Sequence, residues 1–467
     1  MPAFDHSPGV LAKNTHGLAE IILATKGVVN GLSDILNDGA HFGPDTMLGA
    51  TSPNQYGPPF SQTGGLQEAI NYATALSGQQ IDTISGTPVA VNPIPVRIKP
   101  GVYKVYTTIT QTPWAPIVGH GAVIQPQQSG SFSQKVIVTL SASTLYLVIP
   151  YRVVDGLIID FSQFTYSGFR GYYANGLNAF EVKDITVINL QSGQGGIELL
   201  STYGVRVVNP QVWAASQTAG NGSFAFVPPD TGVVEGGWLN GADINLYVLN
   251  TVETLIHGTI AQGALSENIL IDGTTSTVLD GVYIEGTGPG SAPANGHIVI
   301  QPESGYVSGI TFRKLRVNSS GTLITLNPGT KSISNVLMSF VSSQSGYAIV
   351  NNGATNFSIE HTDVSLIGSV TGSVKYVDCI NLPALTTPAV PASGTPQQNT
   401  NHYTVEVYVY GGTVTQVQIT KNGTAYTVFS NATGLALSGQ AFRLDPQDSI
   451  TITWSTAPSW EWLPAKN

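Results

Sequence analysis

Residues 151–382 repeat one short theme, and that repeat constrains the fold more than any other feature of the chain. Each instance is a small or amide residue, then alternating apolar residues, then Asn, Gly, Ser or Thr. Gly156-Leu157-Ile158-Ile159-Asp160, Asp184-Ile185-Thr186-Val187, Gly204-Val205-Arg206-Val207 and Asn268-Ile269-Leu270-Ile271 are examples. Gly309-Ile310-Thr311-Phe312, Asn335-Val336-Leu337-Met338 and Asn356-Phe357-Ser358-Ile359 continue it. Asp184 to Gly204 is 20 positions, Asn335 to Asn356 is 21, and Asn268 to Gly309 is 41, or two periods. A strand with turn residues every ~20–25 positions marks a solenoid.

The units are rich in Val, Ile, Thr and Asn and poor in Ala, Glu, Lys and Arg, which favours strands over helices. Leucines at the fixed offsets of a leucine-rich repeat are absent, and a propeller blade needs about twice this period. The expected fold class is therefore all-β, a right-handed parallel β-helix with two or three short strands per coil. Stacked coils satisfy each other's backbone, and their inward apolar columns form one long core. Asn and Gly at the corners supply left-handed backbone. A jelly roll or sandwich is the competing arrangement.

Only 10% of the 467 residues are charged, against 42% hydrophobic, with 52 glycines. Disorder needs the opposite balance. The net charge is −10 with no basic cluster evident, which argues against a nucleic-acid partner. The single cysteine, Cys379, excludes an intrachain disulfide and reads as a small packed residue. No 18-residue apolar span and no secretory leader stand out, so neither a membrane partner nor a secretory route is expected.

Residues 1–60 read as a head. Leu18, Ile21, Ile22, Val28, Val29, Leu32 and Ile35 have helical spacing, suiting either an anchor or a cap on the open solenoid end. Asn37-Asp38-Gly39-Ala40-His41-Phe42-Gly43-Pro44-Asp45-Thr46 follows. Thr63-Gly64-Gly65-Leu66-Gln67-Glu68-Ala69-Ile70-Asn71-Tyr72-Ala73 then reads as a short helix capped by Thr63. Val96-Arg97-Ile98-Lys99-Pro100-Gly101-Val102-Tyr103-Lys104-Val105 reads as strand, turn, strand, and Val118-Gly119-His120-Gly121-Ala122-Val123-Ile124 closes the series.

This order of motifs resembles the opening of the pectate-lyase-like superfamily, as found in phage tailspikes and related polysaccharide-degrading proteins. The resemblance covers roughly residues 37–125, and the coil theme carries it to about 382. It implies the fold. It does not choose among the hydrolases, lyases, epimerases and non-catalytic members of the superfamily. By analogy it implies a homotrimer located on a virion or outside the cell, with the head contacting virion tail components.

The domains expected are the head at 1–60, the β-helix at 61–382, a Pro-rich linker at 383–396, and a β-sandwich module at 397–467. That module resembles a C-terminal module of phage tail and fibre proteins, through Pro388-Ala389-Val390-Pro391-Ala392-Ser393-Gly394-Thr395 and the strand patterns after it. It suits trimerisation, or glycan binding by Trp454, Trp460 and Trp462, although packing is the simpler role for those rings.

A β-helix enzyme can set carboxylates on neighbouring coils about 5 Å apart. Retaining glycosidases need about 5–5.5 Å and inverting ones about 6.5–9.5 Å between carboxyls. The middle coils hold Glu235, Asp243, Glu253, Asp272, Asp280 and Glu285. The repeat also breaks at 217–239 and 285–297, and insertions on a rigid scaffold are where function usually sits. The candidate acid/base residues are Asp243, Asp272, Asp280 and Glu285, with Trp238 and Tyr283 as sugar platforms and His257 as a polar contact. Each of these acids could equally serve a turn. Asp155, Asp160, Glu181, Asp184 and Glu198, beside the aromatic loop at 164–175, form a reserve cluster.

Polygalacturonase and pectate-lyase signatures are not recognisable, and Ile256-His257-Gly258 is too little to supply one. With 18 basic residues the balance leans to hydrolysis or a neutral glycan over uronate lyase chemistry. No cofactor and no metal site are expected, with acid-bound Ca²⁺ left open. The expected activity is cleavage of glycosidic bonds in a polysaccharide. A uronate lyase and a non-catalytic receptor-binding fibre are the alternatives.

Overall fold

The computed structural model describes residues 41–42, 62–84, 86–140, 148–215, 222–286, 293–303, 305–343 and 346–465. Most of the expected head, including its helical spacing at 16–36, lies outside the described residues. His41–Phe42 is the exception, and it pairs in parallel with Val96–Ile98.

The repeat folds as a parallel β-solenoid of about ten turns. Each coil crosses three faces, here called sheets one, two and three. In one coil these are Gly195–Leu200, Val205–Val208 and Gln211–Ala214, and the next coil starts at Phe224–Val227. Alternate residues point inward and stack on their counterparts one coil away. Phe226, Leu246, Ile269 and Ile298 form such a column in sheet one. Val207, Val234, Ile256 and Leu279 do so in sheet two, and Val212, Leu239, Ala261 and Ile284 in sheet three. All are buried. At ~1.5–3 kcal/mol for each large side chain removed from water, these columns hold the coils together.

The corner from sheet two to sheet three is two residues long in coil after coil, and its first residue takes left-handed backbone. Asp184, Asn209, Gly236, Gly258, Gly281, Lys314, Phe340 and His361 occupy it, with φ between 48° and 67°. The theme read from the sequence as "amide or glycine before the apolar run" includes these corner positions. The corner from sheet three to sheet one is instead variable, short between Asn240 and Ile244 and longer between Ala214 and Phe224 and between Glu285 and Gly296.

Leu66–Ser77 is the expected helix. Leu66, Ala69, Ile70 and Ala73 are buried against the first coil. Its cap position is Gly65 (φ 87°), because the chain must turn left-handed there; Thr63 Oγ1 still accepts the Gln67 amide at 3.0 Å. The Gln67 side chain bonds both the carbonyl and the amide of Thr110, so it replaces the missing strand at the sheet's open edge.

The strands of the C-terminal module are joined by their hydrogen bonds into one five-stranded antiparallel sheet. Val405–Lys421 pairs with Thr424–Leu444 on one side, and with Ser449–Thr456 and Ser459–Pro464 on the other. The expected hairpin turn is present, with Asn422 and Gly423 both at positive φ. Trp460 Nε1 donates to the Pro388 carbonyl at 2.7 Å, and Trp460 and Trp462 are buried, so these two rings pack. Cys379 is half-buried against the core.

Candidate functional site

Two acidic residues from successive coils lie at the variable corner between sheets three and one. Asp243 precedes the strand Ile244–Val252, and Glu267 opens the next strand, Glu267–Thr275, opposite Ile244. The Asp243 carbonyl accepts the Glu267 amide at 3.1 Å. Burial holds the Asp243 carboxyl above the ordinary range. Burial also raises Glu267, and the Asp243 charge adds to that shift, while a hydrogen bond from Asn295 Nδ2 opposes it. Burial separates both from ordinary surface acids, and at Glu267 the Asp243 charge adds to it.

Behind them runs a buried amide ladder. Asn245 Nδ2 donates to the Gln262 carbonyl at 2.7 Å and to Asn268 Oδ1 at 2.9 Å. Asn268 Nδ2 in turn bonds the Glu285 carbonyl at 2.9 Å and lies 2.9 Å from His297 Nδ1. Burial pushes His297 down to about 4, so its neutral ring accepts at that nitrogen. The ladder pins the ends of the sheet-three strands where they enter the corner.

Sheet three supplies an outward face beside this corner. Trp238, Ile260 and Tyr283 occupy one outward column on successive coils. The Trp213 ring lies 4.5 Å from Trp238 at a tilt of 50°. Glu285 is fixed by the Tyr283 hydroxyl, which donates at 3.1 Å, and by Asn318 Nδ2, which donates at 3.0 Å. Half-buried aromatic rings beside a carboxylate and amides are the chemistry that grips a sugar ring's apolar face and its hydroxyls.

The four candidate acids therefore do not share one spot. Asp243 is at the corner, and Glu285 stands on the adjoining sheet three. Asp272 is buried (5% exposed) within the strand Glu267–Thr275, where it accepts the Glu303 amide at 2.6 Å and the Tyr247 hydroxyl. Asp280 is on sheet two, its Oδ2 3.3 Å from His257 Nδ1. Only five positions separate Asp280 from Glu285, but the left-handed corner at Gly281 turns them onto different sheets.

The reserve cluster is taken up in internal bonding. Arg152 pairs with Asp155 and Glu181, Arg206 with Glu181 and Glu235, and Arg170 with Glu198. Asp160 caps the short helix Phe161–Gln163, and Asp184 accepts from Asn209. The break read at 217–239 is also narrower than expected: Phe224–Val227 and Gly232–Glu235 are ordinary strands, and Phe226 is core.

Reasoning from sequence missed Glu267, Trp213 and Asn318. Two had a usable signal. Glu267 lies 24 positions after Asp243 and Trp213 lies 25 before Trp238, each about one coil. Among the described residues no three His, Cys, Asp or Glu side chains group to hold a metal ion, and no helix is long and apolar enough to cross a membrane.

No protein-family model matches the chain, and no curated protein matches it in sequence. Solved structures do. DFA-IIIase from Arthrobacter chlorophenolicus A6 without its lid aligns over 69% of this chain and 98% of its own, at 9% identity and a TM-score of 0.45. Tailspike protein 2 from Escherichia coli O157:H7 bacteriophage CAB120 aligns over 92% of this chain and 63% of its own, at 13% identity and 0.38. Pectate lyase Pel9A aligns over 76% and 82%, at 15% identity and 0.35. The fold of this chain is a parallel β-solenoid of about ten turns followed by a C-terminal antiparallel sheet module.

Proposed function

We propose that the protein cleaves glycosidic bonds of a polysaccharide at the corner between sheets three and one. The observation that carries this reading is the pair Asp243 and Glu267, both held above the ordinary carboxyl range on successive coils. Burial disfavours the charged form of both, and the Asp243 charge further disfavours ionisation of Glu267. Glu267 has both burial and a charged neighbour raising it, so it is assigned the acid that protonates the leaving glycosidic oxygen. Asp243 is assigned the base that takes a proton from the attacking water. Glu285 stands beside them on sheet three, and Trp238, Tyr283 and Trp213 receive the sugar rings.

Asp243→Asn and Glu267→Gln should each abolish the release of new reducing ends from a panel of capsular and plant polysaccharides, with the far-ultraviolet dichroism of the fold retained. Full activity in both refutes the placement. No new ends from any glycan, with binding retained, would make the protein a non-catalytic receptor-binding fibre.

One observation favours a second reading. Asp280 sits against His257 Nδ1, and the His257 side chain is 58% exposed. An imidazole oriented by a carboxylate suits abstraction of a sugar C5 proton, as in a uronate lyase. Products carrying an unsaturated uronate, seen by ultraviolet absorbance and lost in His257→Ala, would select it.

The assembly we propose is a homotrimer carried on a virion, with residues 1–60 contacting the tail. Exposed Tyr426, Val428 and Leu435 on the long strand Thr424–Leu444 support self-association.

A further inference from the structure

Phe312-Arg313-Lys314-Leu315-Arg316 crosses the corner from sheet two to sheet three. Leu315 is buried, while Arg313, Lys314 and Arg316 are exposed. The chain carries a net charge of −10 and only 18 Lys and Arg, so three within four positions is a local reversal of its charge. None of the three forms an ion pair with a described residue. Asp280 is the rung neighbour of Arg313 but lies against His257 instead. The Arg316 guanidinium stands 5.9 Å from the Tyr283 ring.

The corner itself changes character at this level. Three coils in succession place glycine at its left-handed position, namely Gly236, Gly258 and Gly281. The next three place Lys314, Phe340 and His361 there, with φ of 51°, 54° and 48°. Left-handed backbone is disfavoured for bulky side chains, and glycine would take it freely. Phe340 is nevertheless 56% exposed, its ring stacked on His361 at 5.1 Å and 18°. Packing does not account for a water-facing aromatic in that conformation. Strain retained at an exposed position points to binding.

We propose that Arg313, Lys314, Arg316 and Phe340 form a binding site for an anionic saccharide. The cations pair with its carboxylate or sulfate, and the Phe340 ring covers the sugar's apolar face. The strand Arg316–Asn318 is three residues long, about 10 Å. Arg316 stands at one end of it, and at the other Asn318 holds Glu285. Arg316–Asn318 stacks two coils beyond Ile260–Gln262, the strand that leads to Glu267, so at about 4.8 Å per coil and about 10 Å across sheet three the site is several sugar units from the proposed catalytic corner. It rests on this patch alone and not on the catalytic assignment.

The test is affinity electrophoresis in gels containing polygalacturonate, dextran sulfate or dextran, using the Glu267→Gln protein so that no polymer is cut. Polygalacturonate should retard the protein and dextran should not. Retardation by dextran sulfate as well would mean that any anionic sugar serves, and its absence that carboxylates are required. Two exposed charge contacts correspond to about a tenfold affinity. Arg313→Ser with Lys314→Gly should therefore weaken retardation by about that factor, and Phe340→Gly should weaken it further. Both glycine changes relieve left-handed strain, so an unchanged or higher Tm shows that folding is intact. No retardation by either anionic polymer, equal retardation by dextran, or unchanged retardation in the variants overturns the proposal. Unchanged cleavage in Asp243→Asn would overturn the catalytic reading and leave this one standing.

Discussion

Asn268→Leu probes how the proposed catalytic corner is held. The Asn268 side chain is fully buried and makes three hydrogen bonds, to Asn245, the Glu285 carbonyl and His297. Leucine has nearly the same volume, so the cavity cost is small. Three bonds at ~1 kcal/mol each give ~3 kcal/mol. Two of the partners keep another bond: Asn245 retains the Gln262 carbonyl, and the Glu285 carbonyl retains the Gly263 amide. The buried His297 Nδ1 loses its donor, which costs a further ~1–3 kcal/mol. The expected destabilisation is therefore about 4–6 kcal/mol in urea unfolding. Asn245→Leu shares one of the bonds, so the double variant should fall short of the sum by about 1 kcal/mol. A solenoid need not unfold as one unit, so exchange of the Gly263 amide gives a local readout and should lose protection. A loss below about 1 kcal/mol, with Gly263 still protected, would refute the ladder's role.

Ile269→Ala should cost about 2–5 kcal/mol, since Ile269 is fully buried between Leu246 and Ile298 in the sheet-one column. A change under 1 kcal/mol would mean that the columns do not carry the stability. Light scattering of the full chain should give three times the 49.0 kDa chain mass, and Val428→Lys with Leu435→Lys should lower it; a monomer in the unaltered protein would refute the trimer. The pH dependence of Glu267 has a definite sign. Its folded carboxyl is raised, so the folded state keeps its proton to higher pH than the unfolded chain, which ionises near ~4.3. The stability from that bound proton is complete below the unfolded value and is lost as pH rises through the folded one. Glu267→Gln cannot lose it, so the stability difference should move in the variant's favour from acid to neutral pH, and a flat difference refutes the shift.

The faces of the solenoid were legible because inward positions alternate and each must bury an apolar side chain against the coil above and below. Val207, Val234 and Ile256 announce themselves in that way. The site was less legible because a coil scrambles proximity. Asp280 and Glu285 are close in sequence and lie on different sheets, whereas Asp243 and Glu267 are one coil apart and lie at one corner. Glu267 and Asp272 are both buried polar residues of one strand, so periodicity alone could not tell them apart. The corners differ in what they can absorb. From Gly195 to Phe224 the coil takes 29 residues, from Phe224 to Ile244 it takes 20, from Ile244 to Glu267 it takes 23, and from Glu267 to Gly296 it takes 29. The corner from sheet two to sheet three stays at two residues through these coils, so the extra length of both long coils is taken up elsewhere. A corner free to lengthen can raise a groove wall without disturbing any rung. A corner fixed at two residues can change only its side chains, and there glycine gives way to Lys314, Phe340 and His361. Length variation at one corner and residue variation at the other are the two ways this fold can depart from its repeat, and the two proposed sites lie on those departures.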